Sequence, residues 1–295
     1  MSAATPPIVV PPRAAGSPRR SRLLTTLRGR PALLISLILL GLLLLAVFIP
    51  GIYSSQPTTG LFMRQALEAP SLAHPFGTDE AGRDVFSRVM HGTRYSLGMA
   101  FLIVATGAIF GTAYGAIAGF VGGRLSEAMM RVVDIFLAFP AFVLAMAVAA
   151  AVGRGISSVI IALAIIWWPS YARLIRGMVL GLRENVWVEA AQSLGASRSR
   201  IIVRHILPFT TAELNVRVTV DIGYALVAVT SLSFIGLGAQ RPTPEWGVLI
   251  ADGRQYVTSA WWYPIFPGIA IYVSTLVFSL LGDALGEGSK SSRRR

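Results

Sequence analysis

Six stretches of the chain stay apolar for long enough to cross a bilayer. They run from Ala32 to Ile49, from about Leu97 to Phe120, from Ala128 to Val152, from Ser158 to Leu180, from Pro208 to Leu237 and from Ile265 to Leu281. A helix needs about 20 such residues to span the hydrocarbon layer. No water there satisfies an open backbone, so each segment must be helical. The pattern predicts an all-α polytopic membrane protein with six transmembrane helices. Pro50-Gly51 closes the first span, and the glycines around Arg154 make a tight turn between the third and fourth.

The polar stretches divide the chain. Residues 1–30 are rich in Pro, Ala, Ser and Arg without apolar period, and read as a disordered basic tail. A cleaved signal peptide is the competing reading; the long basic region and the lack of a small-x-small site after Phe48 speak against it. The first span occupies 31–50. An extracytoplasmic segment follows over 51–95, with a polar run from Gly77 to Asp84. A five-span core covers 96–285 and carries a cytoplasmic loop at 181–208 and an outer loop at 238–264. Residues 286–295 form a second basic tail. Trp246, Trp261 and Trp262 in the outer loop suit a membrane–water interface.

Composition agrees with this plan. The chain is 54% apolar and only 14% charged, where a soluble domain carries roughly a quarter charged residues. Its net charge is +12. Nucleic acid is one partner such a charge could serve, but basic residues also gather beside membrane spans on the cytoplasmic side. With the N-terminus inside, eighteen Lys and Arg flank the inner ends of spans and seven the outer ends. Both termini are therefore expected in the cytoplasm, with no nucleic acid partner.

Several chemistries are excluded. Without cysteine there is no disulfide, thiolate metal site or cysteine nucleophile. The only lysine, Lys290, follows Ser289 in a tail, so no phosphate-binding P-loop exists. His74 and His91 lie on the outer side and His205 on the inner, so they share no metal; each reads as a surface or capping residue. No Ser/His/Asp arrangement falls on plausible elements. No catalytic residue and no cofactor of its own are expected.

Four patterns carry information. Between Glu189 and Pro208 the loop reads as a short Ala-rich helix, a break at Gly195, a second helix, and a proline opening the next span. Glycine ends helices by taking a left-handed conformation, and proline suits a helix start. Such a loop either seats in a groove of a partner or lies on the membrane surface. Gly107, Gly111, Gly115 and Gly119 recur every four residues and put a groove on one helix face. Packing within the chain is the preferred reading, with contact to a partner membrane subunit the sharper one. Intramembrane charges face protein or water, and Asp134 lies near the inner end of the third span. Glu213, Arg217 and Asp221 share one face of the fifth. They pair along the helix or line a translocation path.

The loop resembles the EAA signature of ABC importer permeases in Glu189, Ala190, Ala191, Gly195, Ile201 and Pro208. Further segments are similar to the C-type permeases of dipeptide, oligopeptide and nickel importers (DppC/OppC-like). They are His74 to Arg88, Trp168 to Gly177, Ser231 to Gly238, Pro244 to Gly247 and Leu281 to Asp283. The resemblance covers about residues 31–285. Phe76, Thr230 and the Ser-Arg ending depart from the family pattern without touching the loop.

The resemblance implies the type I ABC importer permease fold, with one extra N-terminal span outside a five-helix core. It implies a coupling role for Glu189, Ala190, Ala191, Leu194, Gly195, Ala196, Ile201 and Pro208, and makes Asp134, Glu213, Arg217 and Asp221 path candidates. It implies a B-type permease as heterodimer partner, two ATPase subunits holding ATP and Mg, an extracytoplasmic substrate-binding protein, and membrane lipid. The setting would be a bacterial inner membrane and the cargo a short peptide, with nickel chelates, glutathione or haem as alternatives. An ion-coupled secondary transporter would instead show inverted repeats with broken helices, and the sequence shows no such repeat.

Overall fold

The computed structural model describes residues 31–49, 51, 53, 54 and 57–293. The expected tail over residues 1–30 lies outside them. The helices are α1 (Pro31–Phe48), α2 (Val85–Val121), α3 (Gly123–Ala138), α4 (Ala141–Val152), α5 (Ile156–Arg183), α6 (Val186–Ser193), α7 (Arg198–Arg200), α8 (Leu207–Phe234), α9 (Trp246–Gly253) and α10 (Trp262–Arg293). The described residues contain no strand; one isolated bridge joins Thr78 to Asp84.

Four helical stretches among these residues are long and apolar enough to cross a membrane: Val85–Val121, Ile156–Arg183, Arg198–Phe234 and Trp262–Glu287. α3 and α4 make a fifth only if taken together, and they meet at an 88° bend. The apolar part of α1, Leu34–Phe48, is shorter. The third of the six expected spans is thus a bent pair, and four to five spans are counted among the described residues. Pro140 stands between α3 and α4, and Phe139 before it is extended at φ −89°, ψ 145°. A proline disfavours helical geometry in the residue that precedes it.

Other boundaries move as well. α2 begins twelve residues before the expected Leu97, because Asp84 caps it by accepting from the Ser87 N–H at 2.7 Å. At 37 residues it is about 55 Å long, so it projects beyond the hydrocarbon, and the segment expected outside ends at residue 84. α10 runs on to Arg293, through most of the tail expected at 286–295. The second helix of the loop and the fifth span are one helical run. Between them Ile201–Ile206 forms a π-turn, with the Leu207 N–H bonded to the Ile202 carbonyl. Pro208 cannot donate to the carbonyl of Arg204 four residues back, and the wider turn accommodates this.

The glycine row of α2 packs inside the chain. An added Cβ at Gly107 would lie 2.9 Å from Trp167 Cβ, at Gly111 2.4 Å from the Trp168 carbonyl oxygen, and at Gly115 2.3 Å from that of Ala172. At Gly119 it would lie 2.8 Å from Val179 Cβ. These glycines let the backbones of α2 and α5 touch, as the preferred reading held. Leu97, Ile103, Leu163, Tyr171, Leu226 and Trp246 fill the core that joins α2, α5, α8 and α9.

The tryptophans correct another expectation. Trp246 is 1% and Trp262 6% exposed, and only Trp261, at 51%, stands out from the fold. The buried indoles donate to the carbonyls of Val89 at 2.9 Å and Thr78 at 3.1 Å. Satisfied N–H groups allow these rings to serve as core.

Candidate coupling loop and charged residues of the spans

α5 ends at Arg183, where the Asn185 side-chain amide donates to the Leu182 carbonyl at 2.9 Å. The chain then turns into α6, only eight residues long. A helix this short does not hold itself in water. Val188, fully buried, anchors it in a cluster with Ile175, Val179, Ile201 and Ile206. Trp187 stacks on Phe209 with ring centroids 5.2 Å apart.

Gly195 terminates α6 at φ +80°. The Gly195 N–H bonds the Gln192 carbonyl at 2.9 Å, and the Ala196 N–H reaches back to Ala191 at 3.0 Å. This paired closure is the Schellman arrangement, which needs the left-handed residue that glycine supplies. Ser197 then starts the next helix by accepting from the Arg200 N–H.

The loop turns an unusual surface outward. Glu189, Ala190, Leu194 and Gly195 are exposed, and Ala191 and Ala196 are half-buried. Val186 is 80% and Leu194 88% exposed, one at each end of α6. Sequence reasoning passed over Val186, although an apolar residue directly after the Asn185 cap was the available signal. Ile201 is fully buried and anchors the loop from inside, and Pro208 is exposed at the start of α8.

The intramembrane charges are already paired. Asp134 on α3 accepts from Arg173 on α5 at 2.7 Å, and both side chains are about half exposed. Arg217 and Asp221 pair along α8 at 2.9 Å, with Asp221 buried and Arg217 half exposed. This matches the simpler of the two readings for that face. Glu213, two turns before Asp221, is exposed. Asp134 thus pairs across α3 and α5, and Asp221 pairs within α8.

The motif at residues 74–88 builds a buried polar knot at the N-terminal end of α2. Asp79 accepts from the backbone N–H groups of Ala81 and Arg83, at 2.8 and 2.9 Å. Its second oxygen holds Arg83 Nε at 2.7 Å and Arg88 Nη1 at 2.5 Å. Asp79 and Arg88 are both fully buried. His74, expected as a surface or capping residue, is instead buried at 8% exposure and bonds the capping residue Asp84 at 3.0 Å. Glu245 caps α9 from full burial, accepting from Ser96 at 2.9 Å and from the Val248 N–H at 3.1 Å. Burial pushes its carboxyl above the usual range despite those donors.

Sequence patterning does not show this knot, because it depends on which turn faces which helix. Removing one partner of a buried ion pair strands the other, at about 3–5 kcal/mol. Asp79→Ala is expected to lower the thermal midpoint of the purified protein sharply. Arg83→Ala, which leaves the Asp79–Arg88 pair intact, is expected to lower it less. Equal midpoints for the two would refute the ranking.

Comparison with known proteins agrees with this architecture. The binding-protein-dependent transport system inner membrane component family matches residues 111–291. The chain is 41% identical to the probable D,D-dipeptide transport system permease protein DdpC of Escherichia coli (strain K12), over 90% of this chain and 89% of that one. It is 40% identical to the dipeptide transport system permease protein DppC of Alkalihalophilus pseudofirmus, over 92% and 89%. It is 43% identical to the glutathione transport system permease protein GsiD of Pectobacterium atrosepticum, over 74% and 72%. A chain of the inward-facing MetNI methionine ABC transporter superposes with a TM-score of 0.52 at 19% identity, over 67% of this chain and 95% of that one. That likeness shows the fold alone. The protein therefore belongs to the binding-protein-dependent transport system inner membrane components, as a DppC/OppC-like ABC importer permease: a translocation subunit of the inner membrane and not an enzyme.

Proposed function

We propose that the chain is the membrane-spanning C-type subunit of an ATP-driven importer of short peptides. Separate ATPase subunits seat on α6 and its glycine turn. One observation carries this reading: a short helix, pinned from behind by Val188, exposes Val186 and Leu194 at its ends. Exposed apolar side chains on a well-anchored element favour a partner surface. Glu189, Ala190, Leu194 and Gly195 form the contact, with Ala191 and Ala196 at its edge. Ile201 and the π-turn before Pro208 connect the contact to α8.

Two ATPase subunits, carrying ATP and Mg, lie beneath this chain and a B-type permease, with a substrate-binding protein on the opposite face. Both termini are cytoplasmic, as the basic flanks favour. Residues 51–84 and 238–264 then lie outside, 181–208 inside. Alternation between two conformations of unequal affinity moves the cargo. The relatives' names favour dipeptides, with glutathione, also a small peptide, as the close alternative. The exposed Asp134–Arg173 pair, Glu213 and Arg217 border the path, and Asp221 holds Arg217 in place.

An ion-coupled transporter is less well supported. The break at Pro140 is the only strongly bent pair among the described residues, whereas inverted repeats place broken helices in both halves. The deciding experiment is affinity purification of the tagged chain in mild detergent. The ATPase subunits and a second permease are expected to co-purify. With the binding protein, the assembly should take up a labelled dipeptide into vesicles only when ATP reaches the ATPase side. Uptake by the chain alone on an ion gradient would overturn the reading.

A further inference from the structure

A cleft of about 300 Å³ separates the C-terminal half of α1 from the core. Leu39, Leu42, Leu43 and Ala46 of α1 form one wall. Val89 and Met90 of α2 and Ile269, Ala270 and Val273 of α10 form the other. Among the described residues no charged one lines it, and three lining side chains carry a nitrogen or oxygen, each already bonded within the protein. Tyr53 donates to the Leu42 carbonyl at 3.0 Å, Thr93 to that of Val89 at 3.2 Å, and Trp246 to the same carbonyl at 2.9 Å.

The cleft is open on one side. Leu42 and Ile269 are each 48% exposed, and the remaining lining residues are buried or half-buried. Water needs two to four polar partners to occupy such a space, and this lining offers none. A peptide cargo would likewise leave its backbone groups unpaired. An empty cleft would forfeit dispersion contacts along its whole lining. Hydrocarbon fits both the lining and the setting, since α1, α2 and α10 are the apolar helices of an inner-membrane protein.

We propose that this cleft is a lipid site, filled by one acyl chain of a phospholipid from the leaflet bordering residues 51–84. The chain enters between Leu42 and Ile269 and packs α1 onto α2 and α10. α1 would then be held to this part of the core through lipid as well as through side chains. The inference requires only that these helices lie in the membrane, and it stands apart from the coupling role of α6.

The test uses the assembled transporter in vesicles containing phosphatidylcholine with a diazirine at the end of one acyl chain. Photoadducts are expected on Met90 and on Ala270 to Val273, as well as on Ile35 and Ile38, which are exposed on α1 and do not line the cleft. Ala270→Trp fills the cleft. It is expected to lower the Met90 adduct at least about tenfold, as for a site whose affinity falls by that factor, and to leave those on Ile35 and Ile38 unchanged. Should Ala270→Trp fail to assemble, Ala46→Leu fills the cleft from the opposite wall and is read the same way. A Met90 adduct absent while Ile38 is labelled, or one insensitive to both fillings, would overturn the proposal.

Discussion

Gly195→Trp is expected to leave the protein inserted in the membrane and to abolish ATP-driven uptake. A Cβ at Gly195 would meet nothing within 4 Å, so the indole has no clash inside the chain. The residue sits at φ +80°, and a non-glycine residue there costs roughly 1–2 kcal/mol. That strain falls on an exposed turn, where the buried anchors Val188 and Ile201 hold the flanking helices. The loop surface, however, gains a large ring between Leu194 and Ala196. A partner groove shaped for a glycine turn has no room for it. Membrane abundance, co-purifying ATPase and uptake are measured together. Gly195→Asn separates backbone from bulk, since asparagine tolerates the left-handed region. It is expected to retain most uptake. Normal uptake in the tryptophan variant would sink the coupling assignment.

The loop proposed to couple was legible because its signals are local. Helix, glycine and second helix follow one another within twenty residues, and each has a propensity reason. The glycine row of α2 was legible for the same reason: a period of four survives any tertiary context. What escaped depends on distant partners. The register of 77–84 against α2 and α10 buries Arg88 on Asp79 and Trp262 on Thr78, and no window of sequence contains both sides. Hydropathy put the start of α2 at Leu97, because Arg88, His91 and Arg94 look like loop residues. In the fold Arg88 is buried in an ion pair and His91 bonds the Ser87 carbonyl at 2.9 Å. Hydropathy likewise ran α3 and α4 together, since Pro140 does not lower the average that hides it. The intramembrane charges were found by position, but their pairing across α3 and α5 needed the structure.

Gly115→Leu is expected to be the most damaging single change in the transmembrane core. The atoms that meet a Cβ at Gly115 are all backbone of Ala172: the oxygen at 2.3 Å, with the carbonyl carbon and Cα at 2.9 Å. A side chain can rotate away from such a contact, but a helix backbone cannot. Overpacking a core typically costs about 1–3 kcal/mol. Leucine here must also push α2 and α5 apart, opening contacts at Gly107, Gly111 and Gly119 together. The expected result is little folded protein in the membrane, and rapid proteolysis of what remains. Gly98→Ala, on the same helix with nothing within 4 Å of its Cβ, is the matched control. It should be neutral or slightly stabilising, because alanine is favoured over glycine in a helix by up to about 1 kcal/mol. The second-site change Gly115→Leu with Ala172→Gly is the sharper test. It removes a methyl that does not make the clash, so no rescue is expected. Recovery of folded protein would mean that side chains, and not backbone contact, set the distance between α2 and α5.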